Sequence, residues 1–328
     1  MTTAAPANPV KAFLRLVMIE HSVFALPFAF LAALTAMRLH TYCGLSGYGW
    51  GDQDRGWFSF SSAAPTVRDG TGDCSVGDWL DLPRLLLLTL AMVAARTFAM
   101  AANRLIDREV DARNPRTAQR ELVTGAVSLT TARIGAGVAL LVFLVVAGAL
   151  GPLPLLLAPL AVLPLVVYPY AKRFTDYPHA VLALAQAVAP VGAWLAVTGD
   201  WSWSAVVLGL GVGLWIGGFD LVYACQDTDS DRAQGVRSVP ARWGNAVALR
   251  AARLVHVVVF ALFAGFGARE GFGPVWYGGL LLTGAAFVYQ HAIVSPQDLS
   301  RVNRSFFTSN GFVGLALGAA GVLDLVAR

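Results

Sequence analysis

A chain of 328 residues that is 56% hydrophobic and only 13% charged, with a mean hydropathy of +0.61, is too apolar for an ordinary water-soluble domain. Its net charge of +4 does not mark a nucleic-acid partner, because the basic residues are scattered over the ends of apolar segments, where membrane topology accounts for them. Three cysteines without metal-ligand spacing exclude a zinc site.

Apolar runs of the roughly 20 residues needed to cross a bilayer recur at about 13–37, 84–106, 131–150, 152–170, 180–199, 204–224, 247–268, 273–295 and 305–327. The expectation is an all-α integral membrane protein with nine transmembrane helices in one bundle, residues 1–328 forming a single domain. Gly and Pro within the runs suit close helix packing in lipid. Lys11 and Arg15 precede an apolar run too long for a cleavable signal peptide.

The first run carries Glu20 and His21, which are either near-surface residues or polar groups of a pocket. Residues 39–81 follow, rich in Gly, Ser, Asp and Trp, and are expected to form a loop insertion between helices 1 and 2. Charge sets the orientation. With the N-terminus in the cytoplasm, 18 of the 24 Lys and Arg residues fall on that side and only Arg38, Arg55, Arg68, Arg84, Arg269 and Arg328 on the other, as the positive-inside rule asks. The 39–81 loop is then extracytoplasmic, and Cys43 and Cys74 either pair there or stay free thiols.

The second run ends in Asn103-Arg-Leu-Ile-Asp107-Arg-Glu-Val-Asp111 and continues through Arg113 and Arg116. Residues four apart on a helix differ by only about 40°, so Asn103, Asp107 and Asp111 share a face. Like charges at that spacing cost about a few tenths of a kcal/mol per pair, and a cation is expected to compensate. Arg96, two turns earlier, lies deeper and suits the carboxylate of a ligand. The fourth run ends in Tyr168-Pro-Tyr-Ala-Lys172-Arg173, which either holds a phosphate or anchors the helix at the interface. The sixth repeats the acidic spacing with Tyr223, Asp227 and Asp231, and Asp220 stands one further stretch back. Cys225 reads as a small packing residue.

Ionisable groups at membrane depth usually mark function. Magnesium takes one or two carboxylates and leaves its other positions to phosphate oxygens and water. Two carboxylate clusters surrounded by Arg104, Arg108, Arg113, Arg116 and Arg120 match that division. Solvated helix ends would explain one such cluster better than two with the same spacing at the same face. A CDP-alcohol phosphotransferase would need one contiguous aspartate signature, which is absent. A transporter would place its charges near the bilayer midplane.

These motifs resemble the UbiA-type membrane prenyltransferases. The Asn-x-x-x-Asp-x-x-x-Asp signature is met by Asn103, Asp107 and Asp111, the Asp-x-x-x-Asp signature by Asp227 and Asp231, and Tyr168, Lys172 and Arg173 also look like that family. The resemblance implies Mg2+, a polyprenyl diphosphate and an aromatic acceptor at a cytoplasmic active site of a multi-pass protein in the cell (inner) membrane. It assigns catalysis to Asp107, Asp111, Asp227, Asp231 and Lys172, and metal binding to the four aspartates with Asn103. Substrate binding falls to Asn103, Arg96, Arg113, Arg116, Tyr168, Arg173, Asp220, Tyr223 and Glu20. The stretches Ile19–Phe28, Arg96–Asp107, Asn114–Leu122 and Phe306–Gly311 look like the branch that prenylates a dihydroxynaphthoate in menaquinone biosynthesis. The implied alternative acceptor is 4-hydroxybenzoate in ubiquinone biosynthesis.

Overall fold

The computed structural model describes Phe13, Leu16, residues 26–42 and residues 76–327. Glu20, His21, Cys43, Cys74 and most of the 39–81 segment lie outside the described residues. Every regular element among the described residues is helical. We number the main helices α1 (Leu26–Thr35, prolonged as a π-helix over Ala36–Tyr42), α2 (Leu82–Arg113), α3 (Leu129–Leu150), α4 (Pro152–Phe174) and α5 (Pro178–Thr198). They continue with α6 (Trp203–Ala224), α7 (Asn245–Arg269), α8 (Pro274–Ala292) and α9 (Val302–Ala327, with a π turn at Ser305–Ser309).

Among the described residues seven of these, α2 to α7 and α9, are long and apolar enough to cross a membrane. The expected count of nine is not reached on those criteria. α1 is short within its described part, and α8 has 19 residues diluted by Trp276, Tyr277, Tyr289, Gln290 and His291. Of the described residues in the expected 39–81 loop, 39–42 prolong α1 and Val76–Trp79 form a helical turn.

Outward faces of the helices are apolar: Leu156, Leu160, Leu184, Leu254, Leu281 and Val288 are all well exposed, the reverse of a surface made for water. α6 is the most enclosed of the seven. It achieves this with small residues: a Cβ at Gly209 or Gly217 would press on the carbonyl oxygens of Ala187 or His179 in α5, at 2.5 Å and 2.9 Å, and one at Gly213 would collide with that of Ala183. Its other face fits Phe263 and His256 of α7 against Gly211 and Gly218. Backbones therefore touch where glycines line up every fourth residue.

A single residue, Gly151 at φ 142°, links α3 to α4, a conformation that a side chain would strain. Short links fold consecutive helices back on one another and sort the charges by end. At one end Arg38 donates to Leu325 O, Arg84 to Val197 O and Arg269 to Ser204 Oγ. Both acidic clusters gather at the other.

Candidate active site

α2 stops where its sequence makes it stop. Asn114 precedes Pro115 and takes an extended conformation, because a residue before proline is pushed out of the helical region. The chain then folds back over the helix end. Thr117 Oγ1 donates to Asp111 O (3.0 Å), and Arg120 Nη1 reaches Asp111 Oδ1 at 2.6 Å. From the same turn Arg116 crosses to α6, with Nε 2.8 Å from Asp227 Oδ1, Nη2 2.5 Å from Oδ2 and Nη1 donating to Tyr223 OH at 3.1 Å. Asn114 Nδ2 adds a bond to Asp227 Oδ1 at 2.9 Å.

The first cluster behaves as its spacing predicts. Asp107 and Asp111 are buried side by side, and Asn103 Nδ2 lies 3.5 Å from Asp107 Oδ2. The expected cation is Lys172, whose Nζ stands 2.7 Å from Asp107 Oδ2. The second cluster departs from a single face. α6 passes through a 3-10 turn at Cys225–Asp227 before resuming as a helix over Thr228–Gln234, and the tighter winding shifts everything beyond it. Asp227 therefore meets Arg116, while Asp231 Oδ2 accepts from Ser238 Oγ at 3.0 Å. Asp231 still has Asp227, Lys172 and His179 as electrostatic neighbours.

Next to the clusters is a cavity of about 970 Å³ lined by α2 to α6 with Leu26, Phe306, Phe307 and the turn after α2. It is reached by Asn103 and by Arg116 and Arg120, the partners of Asp227 and Asp111, while the four aspartates and Lys172 stand behind its lining. Arg96, Asn103, Arg104, Arg116, Arg120, Tyr168, Asp220 and Tyr223 line its polar part. Its remainder is apolar, running down α2 as far as Leu88 and past Leu157, Leu182 and Trp201. From Asn103 to Leu88 along α2 is about 22 Å at 1.5 Å per residue. Arg96 Nε is buried in this wall without a hydrogen-bond partner, and Tyr168 has Arg96 and Asp220 as electrostatic neighbours.

Of the expected substrate contacts among the described residues, Arg113 and Arg173 do not reach the cavity either. Arg113 is exposed on the last turn of α2. Arg173 turns outward, donates to Ile106 O at 2.7 Å and stacks over Tyr170, because it follows Lys172 and so faces about 100° away from it. Sequence reasoning missed His179, whose Nδ1 lies 2.7 Å from Asp220 Oδ2. The available signal was two lone ionisable residues in adjacent apolar runs, which must find each other.

Among the described residues no group of three or more acidic, His or Cys side chains lies close enough to hold a metal ion alone. The donor set nevertheless fits a hard ion that borrows oxygens from a ligand. Its donors are all oxygens, and Asp107 Oδ1 is buried with no hydrogen-bond partner.

Residues 74–311 match the UbiA prenyltransferase family. This chain belongs to the UbiA prenyltransferase family. A 4-hydroxybenzoate octaprenyltransferase from Aromatoleum aromaticum is 31% identical over 74% of this chain and 82% of its own length. A 4-hydroxybenzoate solanesyltransferase from Synechocystis is 33% identical over 74% and 82%. Among solved structures, a UbiA homolog from Aeropyrum pernix superposes with a TM-score of 0.73 at 30% identity, covering 93% of this chain and 98% of that one. A UbiA homolog from Archaeoglobus fulgidus bound to DMAPP and Mg2+ shares the fold, with a TM-score of 0.65 at 17% identity over 96% and 99%. This UbiA-family chain is an integral membrane prenyltransferase by its family and its apolar helices.

Proposed function

We propose that the chain transfers a polyprenyl group from its diphosphate to a hydroxybenzoate-type aromatic ring, with magnesium, at the cytoplasmic face of the cell membrane. One observation supports this reading: beside the two carboxylate clusters lies a cavity whose polar part, with Asn103, Arg116 and Arg120, continues into an apolar part, the whole reaching about 22 Å along α2. A diphosphate head and an isoprenoid tail need those two environments in one cavity.

Asp107, Asp111, Asp227, Asp231 and Asn103 would hold magnesium, which draws charge from the diphosphate and favours scission of the allylic C–O bond. The protein's own cations do the complementary work. Lys172, Arg116 and Arg120 each neutralise one of these carboxylates. A magnesium diphosphate would bring both signs of charge, so these three cations are placed to pair with phosphate oxygens when the carboxylates hold the metal. No buried charge is left alone during the exchange, which keeps its desolvation cost low. Arg116 grips both oxygens of Asp227, Arg120 meets one oxygen of Asp111, and Lys172 acts as a point charge.

Arg96 faces the acceptor side. Its buried, unpartnered Nε suits a carboxylate, and Asp220 across the cavity suits the ring hydroxyl. Tyr168 and Tyr223 flank the mouth. The relatives' names support hydroxybenzoate over the dihydroxynaphthoate expected from the sequence. The test is competition between the two acceptors at equal concentration with one polyprenyl diphosphate. Prenylated hydroxybenzoate is expected. Exclusive naphthoate product would reverse the acceptor, and no product from either would overturn the reading.

A further inference from the structure

Asp220 is the only acid within α6, in an otherwise apolar stretch. It lines the cavity, whereas His179, buried at the start of α5, holds it from behind at 2.7 Å. The close approach is built in, because Gly217, less than a turn before Asp220, faces the His179 carbonyl.

The chemistry of the pair follows from its atoms. A carboxylate only accepts, so His179 Nδ1 carries the hydrogen and donates it to Asp220 Oδ2. The opposite nitrogen, Nε2, is buried with no hydrogen-bond partner. The hydrogen on Nδ1 is therefore the one the geometry commits, and it goes to Asp220. Such a bond fixes one carboxylate oxygen of Asp220 and leaves the other to meet a ligand. Across from it stand Tyr168 and Arg96, the wall assigned above to the acceptor.

We propose that His179 is the positioning residue that makes Asp220 the base for the aromatic acceptor, an inference that rests on the prenyl-transfer reading. In the step it serves, the allylic C–O bond breaks and its electron pair leaves with the diphosphate. A ring carbon bonds to the allylic carbon. The ring C–H electron pair then returns to the aromatic system as its proton passes to Asp220, which releases it to water at the cavity mouth. His179 keeps its own proton throughout.

The test uses the purified full chain, a polyprenyl diphosphate, and 4-hydroxybenzoate with and without deuterium at the reacting ring position. A well-placed general base contributes about 10²–10⁴-fold, so Asp220→Asn should lower kcat about 10²-fold or more. His179→Phe, which keeps bulk and loses the donor, should lower it roughly 10-fold, with the KM for prenyl diphosphate unchanged. A ring-deuterium isotope effect should appear as proton loss becomes slow, and a merely structural defect would not produce one. His179→Asn, whose amide falls near Nδ1, should recover most of the rate.

Wild-type kcat without an isotope effect in His179→Phe would overturn the proposal. So would equal disturbance of the KM values for both substrates. If His179→Phe fails to fold, His179→Gln replaces it: its amide falls near Nε2, and rates equal to those of His179→Asn would overturn the role of the Nδ1 bond. A wild-type enzyme that binds prenyl diphosphate yet prenylates no aromatic acceptor would remove the parent reading, and this inference with it.

Discussion

Arg116 and Asp227 meet in a two-point fork, Nε to Oδ1 at 2.8 Å and Nη2 to Oδ2 at 2.5 Å, although one stands in the turn after α2 and the other in the 3-10 turn that continues α6. The loop that closes the first acidic cluster is thereby fastened to the second, and Arg116 also covers the ring of Tyr223. In the account above this fork is a resting state that a diphosphate replaces.

Arg116→Ala should therefore lower kcat/KM for the prenyl diphosphate by about 10- to 100-fold, the worth of roughly 1.5–3 kcal/mol of charge-assisted hydrogen bonding. Arg116→Lys should recover little of this, because an ammonium cannot reproduce the fork. Steady-state kinetics with the aromatic acceptor saturating would check both.

Arg96→Leu should raise the KM for hydroxybenzoate about 10-fold or more, equal to about 1.4 kcal/mol, and leave the KM for the diphosphate alone. An acceptor that lacks the carboxylate should not distinguish the variant from the wild type. Loss of that distinction, with both acceptors equally weakened, would place Arg96 in packing instead.

Gly213 is a position where packing leaves no room. A side chain there would collide with Ala183 O across the α5–α6 contact. Gly213→Val should cost about 1–3 kcal/mol, the usual penalty of overpacking, seen as a lower thermal midpoint in detergent. Gly192, with open space at its Cβ, should accept Ala with little change.

Much of this was legible in the sequence because it depends on period and length alone. The apolar runs located the long helices α2 to α7 and α9, and four-residue spacing put Asp107 beside Asp111 with positive charge owed to them, which Lys172 supplies to Asp107 and Arg120 to Asp111. What could not be read was set by contacts between distant segments. The fork between Arg116 and Asp227, the 3-10 turn that parts Asp227 from Asp231, and the bond from His179 to Asp220 all depend on how α5, α6 and the 114–120 turn dock. Arg173 misled because a basic pair at a helix end looks like one feature, whereas neighbours on a helix point about 100° apart. The acceptor branch was inferred from local stretches, and relatives matched over most of the chain point to the other branch.

Asp176 and Arg237 tie the turn after α4 to the loop after Gln234 at 2.8 Å and 3.2 Å, and Arg237 N donates to Lys172 O. The hydrogen bond from Arg237 holds the Asp176 carboxyl below its ordinary range. A depressed carboxylate contributes stability above its unfolded pKa of about 3.9 and loses it as pH falls through the lower folded value. The gap in thermal midpoint between wild type and Arg237→Ala should thus be constant from neutral pH to about pH 5 and shrink below about pH 4. A gap that grows on acidification would contradict the pairing.

Joint action of the two acidic clusters on one magnesium diphosphate is what the proposed function most depends on. Its most direct test is turnover of Asp107→Ala and Asp227→Ala, each folded and each given saturating magnesium, polyprenyl diphosphate and 4-hydroxybenzoate. Both variants should lose prenylated product almost completely, as should the wild type stripped of divalent cations. Wild-type turnover in either variant, or product formation undiminished by chelation, would contradict the account.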